Sequence, residues 1–482
     1  MRILCTVTND LSYDQRMQRI CTSLAAQGYA VQLVGRQLPQ SMPLVDRPFE
    51  QKRLRCRFHR GFLFYAEYNL RLFIYLLTAR YDAVCSVDLD TLVAGCCATL
   101  LRRKKRVFDA HEYFTEVPEV VHRPVVRAFW ELVARCCLPF YRQAYTVGPA
   151  LAGIFEKKYG LAFAVVRNTP LTLLGAASLA PPIPPVKGGS GIEQGEAPQS
   201  SLKTEPNALQ FSPPFPRGSG IEQGEAPQSS LKTEPNALNA GEQFSSPLPR
   251  GDGMEENETP QSSLKTEHNE LSASEQFSPP FPRGDGGAYP TTQTTTNTPL
   301  PILLYQGALN AGRGLEAAIA AMQQIANVQL WLAGEGDLSG ELRQLTEQLG
   351  LQNKVRFLGF VQPEELKTLT ARAWVGLNLL ENRGQSYYYS LANKFFDYVQ
   401  AGVPVLTMNF PEYRTLNDQY EVALLLNDLS PGVVVEAIRL LQNDPALYTR
   451  LQAGEAQARE TWTWKEDEKI LLAIWDRVKR GG

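Results

Sequence analysis

One segment of the 482-residue sequence brings hydroxyl, amide, amine and carboxylate side chains close together. It is RGQSYYYSLANKFFDYVQAGVPVL, residues 383–406. Asn393 and Lys394 begin a predicted helix, and Gly402 ends it before a strand. A lysine at a helix N-terminus can bind phosphate, and the carboxylate of Asp397, one turn later, can chelate a ribose diol. An ordinary helix closed by a glycine would explain the helix itself but not this combination of groups.

Glycines after predicted strands mark a second group of candidate ligand contacts in the same half of the chain. Backbone N–H groups that such glycines leave free can bind phosphate at a helix N-terminus. Arg313 lies in the first of these loops and can offer parallel donors to a diphosphate. One such glycine would be weak evidence, but four together predict a site for a nucleotide diphosphate: Gly307, Gly312, Gly334 and Gly336.

The N-terminal half has a chemical cluster of its own in DAHEYFTE, residues 109–116, directly after the predicted strand RVF. His111 is one of only four histidines and stands among Asp109, Glu112 and Glu116. An acidic first turn of a helix would account for the glutamates but gives no reason for a histidine. We therefore assign His111 to the active site. A second polar loop, residues 8–16, lacks the GxGxxG of a dinucleotide site.

The sequence shows no metal site and no assignable pair of catalytic carboxylates. The segment DLD, residues 88–90, fits a helix-entry loop better than a metal-binding DxD. All eight cysteines lie in the first 137 residues without CxxC spacing, and we expect buried free thiols in a reducing cytoplasm. We therefore expect no metal and no cofactor.

Alternating strands and helices must position these loops. A strand over residues 2–7, a helix ending at Gly28 and a strand over residues 29–35 form a βαβ unit, and the pattern recurs as far as residue 170. A second such series begins at Ile302. In doubly wound parallel sheets, ligands bind at the carboxyl ends of the strands, which is where both clusters lie. The sequence predicts two Rossmann-like doubly wound α/β domains, residues 1–175 and 302–460.

Residues 181–301 differ in composition from both halves. They contain 20 of the 33 prolines and no cysteine or tryptophan, and QSSLKTE occurs in them three times. Such units carry too few apolar residues to offset the entropy of ordering the backbone. We predict a disordered, tandemly repeated linker. Protein binding through its PxPR segments stays open as an alternative to passive expansion.

Charge follows the same division, with net charges of +10 for residues 1–180, −8 for 181–301 and −4 for 302–482. A basic domain attracts phosphates, acidic substrates or anionic lipids, and no signature of a nucleic-acid module accompanies the charge. Basic residues 52–60 precede the aromatic segment GFLFYAEYNLRLFIYLL, a pattern typical of interfacial membrane contact. An ordinary core helix after a solvated basic loop is the alternative.

From these observations we expect neither a secretory signal nor a membrane-spanning helix. We expect a cytoplasmic protein with a peripheral contact to anionic membrane at the inner face of the plasma membrane, through residues 52–80. No nucleic-acid partner is expected.

Several motifs together make the chain resemble the retaining glycosyltransferases of family 4, in its bacterial branch. These enzymes have the GT-B fold, in which two Rossmann-like domains face each other across an active-site cleft. The resemblance covers both halves and omits residues 181–301. The matching segments are DLDT (88–91), DAHEYFTEVPE (109–119), YQGALNAGRG (305–314), LAGEG (332–336), YYSLANKFFDY (388–398) and AGVPV (401–405).

The resemblance implies that a nucleotide-diphosphate sugar binds mainly to the second domain, and a glycan or lipid-linked acceptor to the first. Arg313 takes the place of the residue that contacts the diphosphate, Asp397 that of the acid holding the ribose, and His111 that of the histidine beside the sugar. Lys394 and backbone amides would help Arg313 to stabilise the leaving diphosphate. Such enzymes are generally metal-independent, and their last helix, here residues 461–482, commonly returns to the first domain.

The sequence departs from the family pattern at one acid. Tyr389 occupies the position of the first glutamate of E-x7-E, and Ala308 and Ala392 replace a frequent arginine and proline. The resemblance implies sugar transfer with retention of anomeric configuration, in cell-surface polysaccharide or glycolipid synthesis. The alternatives are a GT-B-fold sugar-nucleotide epimerase, which would need further acids in the cleft, and a non-catalytic scaffold acting through the repeat insert.

Overall fold

The N-terminal half is an alternation of strands and helices. The computed structural model describes residues 1–12, 14–171 and 300–481, so the predicted linker lies outside the described residues apart from its last two. The strands are β1 (Arg2–Asp10), β2 (Ala30–Gln37), β3 (Glu50–Arg55), β4 (Ala83–Val87), β5 (Lys105–Ala110), β6 (Ala144–Thr146) and β7 (Phe163–Val165). The helices are α1 (Gln15–Ala26), α2 (Gly61–Thr78), α3 (Leu92–Leu101), α4 (Pro118–Val121), α5 (Pro124–Cys137) and α6 (Pro149–Tyr159).

All seven strands are parallel and lie in the order β3-β2-β1-β4-β5-β6-β7. The side chains of β1 alternate between two layers: Ile3 and Cys5 pack with α1, whereas Leu4 packs with α2 and α3. A strand covered on both faces carries a nearly continuous apolar run, and in β1 the buried run from Ile3 to Val7 is interrupted by Thr6 alone. The strand order reverses between β1 and β4, which is where a doubly wound sheet opens its binding crevice.

The C-terminal half repeats this architecture with six parallel strands. They are β8 (Ile302–Gln306), β9 (Gln329–Ala333), β10 (Val355–Gly359), β11 (Val375–Asn378), β12 (Val405–Met408) and β13 (Ala423–Leu426), in the order β10-β9-β8-β11-β12-β13. The helices are α7 (Leu315–Ala321), α8 (Ser339–Gln348), α9 (Pro363–Ala371), α10 (Gln385–Tyr388), α11 (Asn393–Ala401), α12 (Pro411–Gln419), α13 (Pro431–Asn443) and α14 (Pro445–Thr461). Two doubly wound Rossmann-like domains are thereby confirmed.

The last helix, α15 (Trp464–Arg480), packs on the N-terminal sheet. Its buried Trp464 donates a hydrogen bond from Nε1 to Ser23 Oγ at 2.8 Å, and Tyr29 donates its hydroxyl hydrogen to Asp476 at 2.8 Å. The described parts of both halves belong to one compact unit. The helix therefore fastens the end of the chain to the first domain.

One local prediction was wrong, and one strand was not predicted. Residues 50–55 form the edge strand β3, which the sequence did not reveal, because an edge strand that packs little apolar surface carries no hydrophobic alternation. The predicted last helix, residues 461–482, is α15, which begins at Trp464 shortly after α14 ends at Thr461. Cys97 and Cys136 are exposed, since each lies on the outer side of its helix, although every cysteine is free.

Candidate active site

The loop that carries His111 follows β5, one strand away from the switch point of the N-terminal sheet. Strand β5 ends at Ala110 beside the end of β4, so the loops after these two strands are neighbours. The backbone N–H of His111 donates a hydrogen bond to Asp88 Oδ1 at 2.8 Å. Asp88 has a left-handed backbone, with φ of 53°, a conformation that costs energy in a residue with a side chain. Asp88 therefore helps to fix the position of His111.

Both ring nitrogens of His111 face carboxylates. Nε2 lies 3.0 Å from Asp109 Oδ2, and Nδ1 lies 3.7 Å from Asp88 Oδ2. The other oxygen of Asp109, which is fully buried, accepts a hydrogen bond from Arg16 Nη2 at 3.0 Å. Arg16 in turn donates to Val166 O at 2.9 Å. The histidine thus ends a buried chain of alternating charges.

This chain of charges sets the protonation of the imidazole. Burial lowers the pKa of His111, but the charges of Asp109 and Asp88 outweigh burial and raise that pKa to about 9. Burial likewise opposes ionisation of Asp109, yet the positive charges of Arg16 and His111 hold its pKa below the ordinary value. At neutral pH the ring is an imidazolium that donates hydrogen bonds and does not act as a base.

Further acids border the same loop. Burial raises the pKa of Asp90 to about 6. In Glu112, whose side chain is exposed, partial loss of hydration beside the surrounding protein and the charge of Glu119 raise the pKa to about 7. The expected neighbour Glu116 is directed elsewhere: it is buried and pairs with Arg127 of α5. The acids around the ring are therefore Asp88 and Asp109, with Glu112 beside them.

In the C-terminal domain, the loops after β8 and β9 are packed backbone to backbone. An added Cβ on Gly334 would collide with the carbonyl oxygen of Gly307, and one on Gly336 would lie 2.6 Å from Leu309 O. The close approach of the two loops requires these two glycines. Gly307, in the loop after β8, lies beside the amino group of Lys394.

Arg313 lies in the glycine loop after β8. Its guanidinium carbon is 4.9 Å from the centre of the Tyr387 ring, a cation–π distance. Its buried Nε has no hydrogen-bond partner within the described residues. Gly312, at φ of 80°, leaves room for the turn, because a Cβ there would lie 3.0 Å from Tyr387. The Tyr387 ring therefore positions the guanidinium of Arg313, and the Nε–H of this group remains available to donate a hydrogen bond to a ligand.

Lys394 is the second cation of this loop cluster. Its Nζ lies 3.6 Å from the centre of the Tyr305 ring, and 3.6 Å from where a Cβ on Gly307 would lie. Within the described residues it makes no hydrogen bond or ion pair. Burial, followed by the charge of Arg313, lowers its pKa well below the ordinary value, although Asp397 acts in the opposite direction. A bound anion would relieve both cations at once.

Asp397 and Asn393 are reached from the N-terminal domain. Asp397 accepts a hydrogen bond from Gln306 Nε2 at 3.1 Å, and burial raises its pKa to about 6 against the opposing charge of Arg19 on α1. Asn393 accepts a hydrogen bond from Asn168 Nδ2 at 2.7 Å. Arg19 and Asn168 carried no recognisable signal, because each is distant in sequence from the motifs that it meets.

The two predicted clusters face one cleft. The charge of Arg313, in the second domain, acts to lower the pKa of Glu112 in the first.

Along the described parts of the chain, no three His, Cys, Asp or Glu side chains are grouped so that they could hold a metal ion. No helix there is both long and apolar enough to cross a membrane.

Comparison with solved structures defines the class of fold. Sucrose-phosphate synthase from Thermosynechococcus elongatus superposes with a TM-score of 0.62 at 14% identity, over 100% of both chains. HepE from Anabaena, solved in complex with UDP-glucose, gives a TM-score of 0.56 at 12% identity, over 99% of this chain and 100% of that one. The GT-B fold is therefore confirmed.

Sequence comparison is more specific for the second domain. Residues 292–458 match the family model described as Glycosyl transferases group 1. The lipopolysaccharide core biosynthesis glycosyltransferase LpsD of Rhizobium meliloti (strain 1021) is 29% identical over 193 residues. That match covers 39% of this chain and 54% of LpsD, about half its length.

Proposed function

We propose that the protein is a retaining glycosyltransferase that moves a sugar from a nucleotide-diphosphate sugar to a hydroxyl acceptor. The observation that carries this proposal is that Arg313 and Lys394 lie within electrostatic reach of each other at the carboxyl end of β8, and that neither forms an ion pair within the described residues. A diphosphate supplies the negative charge that this pair lacks, and the pair would stabilise it as it leaves. The match to the group 1 family model and the name of LpsD support the same class of reaction.

In the proposed reaction, Asp397 holds the ribose hydroxyls, and Arg313 and Lys394 hold the diphosphate. The acceptor hydroxyl oxygen bonds to the anomeric carbon while the bond from that carbon to the diphosphate oxygen breaks. Attack comes from the face that the diphosphate leaves, and the hydroxyl proton passes to the departing diphosphate. His111, as an imidazolium, donates a hydrogen bond to the sugar and takes no proton. The amides of the glycine loops assist the leaving group, and no metal enters this scheme.

The donor and acceptor are proposed by chemical class. HepE binds UDP-glucose, which makes uridine diphosphate sugars the first donors to test. LpsD is named for lipopolysaccharide core biosynthesis, which favours a lipopolysaccharide or other lipid-linked precursor as acceptor in cell-surface glycan synthesis. Such an acceptor is consistent with the basic first domain and with a peripheral contact of residues 52–80 with anionic membrane.

The test is an assay of nucleoside diphosphate release from a panel of nucleotide sugars, with lipid-linked acceptors, using the full chain. We expect Arg313→Ala and His111→Ala to lose nearly all activity. Arg450→Ala, at an exposed arginine of α14 that pairs with Glu421, should keep its activity. Full activity in both cleft variants would reject the site. The anomeric proton of the product distinguishes retention from inversion by NMR, and an inverted product would reject the mechanism.

One observation favours the epimerase as a second candidate. Such an enzyme needs a residue that can exchange a proton near neutral pH, and Glu112, with its pKa raised to about 7, lies within the electrostatic reach of Arg313. An epimerase would convert a nucleotide sugar to its isomer without any acceptor. Isomer formation that Glu112→Gln abolishes would favour this reading over transfer.

The scaffold alternative concerns residues 181–301, most of which lie outside the described part of the chain. Deleting them tests it. Unchanged transfer by the deleted protein would make the insert dispensable for the reaction, whereas loss of transfer in a folded protein would give it a role.

A further inference from the structure

Helix α2 is apolar on both its inner and its outer side. Its inner side packs on the sheet, with Phe64, Tyr68, Leu72 and Leu76 buried. Its outer side shows another apolar stripe at helical spacing: Leu63, Leu70, Ile74 and Leu77 are all exposed. A surface helix normally has a polar outer side, so an exposed apolar stripe opposite the buried side indicates a missing partner.

Helices α3 and α5 extend this stripe into a broader surface. α2 packs beside α3, and α3 beside α5. Leu101 of α3 is 70% exposed and Val125 of α5 is 81% exposed. The exposed rings of Phe62 and Phe129 have centres 6.1 Å apart, which joins α2 to α5. We call the exposed apolar side chains of these three helices the apolar face; besides those already named, it includes Leu100, Val126 and Leu132.

The charge around the apolar face has one sign. Residues 57–80, 92–106 and 122–140 contain only two acids, Glu67 and Glu131, and each pairs with an arginine on its own helix. Arg60, Arg80 and Arg123 are exposed and form no ion pair within the described residues. The basic strand β3 contributes less than its sequence indicates, because Arg53 is bound to Asp10 at 2.7 Å.

We infer that the apolar face is a docking surface for an anionic lipid bilayer, with α3 and α5 as much a part of it as α2. Apolar side chains that enter the interface, ringed by arginines that meet lipid phosphates, are the combination that such a membrane binds. A second copy of the chain fits poorly, because pairing two such faces would bring their unpaired arginines together. Residues 52–80 account for only part of this surface.

The apolar face is connected to the candidate active site. Phe114, three residues after His111, lies with its ring centre 5.0 Å from that of Trp130 on α5, and Arg127 of α5 pairs with Glu116. A bilayer bound by α5 would therefore lie beside the His111 loop. This step rests on the proposed function, since it gives a lipid-linked acceptor a short path to the cleft, but bilayer binding itself does not require transfer.

The test is co-sedimentation of the full chain with vesicles of phosphatidylcholine, alone or with phosphatidylglycerol. We expect binding to the anionic vesicles, at least about tenfold weaker binding to the neutral ones, and release by salt. Leu70→Gln with Leu132→Gln should weaken binding at least about fivefold. Arg80→Gln with Arg123→Gln should weaken binding to anionic vesicles only. Leu440→Gln, at an exposed leucine of α13, is the matched control and should bind like the wild type.

Three results would overturn the inference. They are no sedimentation of the wild type with anionic vesicles, equal binding by the Leu70→Gln, Leu132→Gln variant, and a stable dimer in solution that the same variant dissociates. Melting temperatures matched to the wild type show that each variant is folded. Because no sugar donor is present, a negative transfer assay leaves this test unaffected, and the two failures can be told apart.

Discussion

Glu412 accepts a hydrogen bond from the backbone N–H of Ala150, with Oε1 and N 2.7 Å apart, and so caps a helix that belongs to the other domain. Glu412 is on the first turn of α12 in the second domain, and Ala150 is on the first turn of α6 in the first. A carboxylate is favoured at a helix N-terminus by the unpaired N–H groups and the helix dipole. Gly148 is packed directly on this carboxylate, so the contact is close as well as polar.

Replacing Glu412 by alanine should therefore lower the free energy of unfolding by about 1–3 kcal/mol, because it leaves buried N–H groups without an acceptor. Glu412→Gln should lose less, since its amide oxygen still accepts. Chemical denaturation measures both. Glu436→Ala, an exposed glutamate of α13, is the control and should change stability by less than about 0.5 kcal/mol. Equal stability of Glu412→Ala and the control would show that the cap contributes nothing.

The protonation of His111 can be followed directly by NMR, because the chain has four histidines. We expect one ring to titrate at a pH of about 9, and that resonance to disappear in His111→Gln. In Asp109→Asn the pKa should fall toward the ordinary 6.5, since the neighbouring carboxylate is gone. A wild-type His111 that titrates near 6.5 would contradict the chain of charges from Arg16 to the ring.

The same ion pairing has a consequence for stability. A histidine whose pKa is raised on folding stabilises the fold fully below pH 6.5 and loses that contribution as pH rises through about 9. The unfolding free energy of the wild type should therefore fall across this window relative to His111→Gln. Urea denaturation at pH 6 and pH 9.5 measures the difference, and parallel behaviour of the two proteins would argue against it.

Tyr389 is expected to act in packing where the family pattern has its first glutamate. Its ring packs against the apolar cluster of the first domain that contains Leu89 and Tyr113. Restoring the acid by Tyr389→Glu should lower stability by about 1–3 kcal/mol, because a polar group would enter that contact without a partner. Tyr389→Phe, the control, keeps the ring and should be nearly neutral. Equal melting temperatures for the two variants would contradict this role.

Glu455 on α14 is fully buried, and neither carboxyl oxygen has a hydrogen-bond partner within the described residues. Burial raises its pKa well above the ordinary 4.5. A carboxyl with a raised pKa is neutral in the fold, so its penalty is absent below pH 4.5 and grows as pH rises. At pH 8, Glu455→Gln should therefore be more stable than the wild type, because the neutral amide carries no cost of ionisation in the buried site.

The measurement is thermal or urea unfolding of both proteins between pH 4.5 and 8. The advantage of Glu455→Gln should shrink toward the acidic end of this range. The matched substitution at the exposed Glu436 should produce no such trend. Stability differences that stay constant with pH would mean that Glu455 is ionised in the fold.

The sequence was sufficient for the architecture, and it predicted the loops in which the candidate site residues lie. Apolar strands covered on both faces, such as β1 and β8, and glycines at helix ends, such as Gly402, are local signals. The strand β3 escaped prediction because an edge strand with residues EQKRLR has neither alternation nor an apolar run.

The partners of the candidate site could not be found in the same way. Arg16 reaches Asp109 across 93 residues, and Asn168 reaches Asn393 across 225, and only the folded chain brings them together. Burial, which raises the pKa of Asp90 and lowers that of Lys394, is likewise a property of the folded chain. Side-chain type and spacing predicted the candidate groups, but not their protonation.

The most direct test of the central proposal is whether the cleft binds a nucleoside diphosphate through Arg313 and Lys394. A ligand that binds only the native state raises its melting temperature, so thermal shift with UDP, GDP and ADP measures this on the full chain. We predict that one diphosphate raises the melting temperature of the wild type and of Arg450→Ala, and has little effect on Arg313→Ala or Lys394→Ala. No shift with any base, or an equal shift in the two cleft variants, would contradict the account.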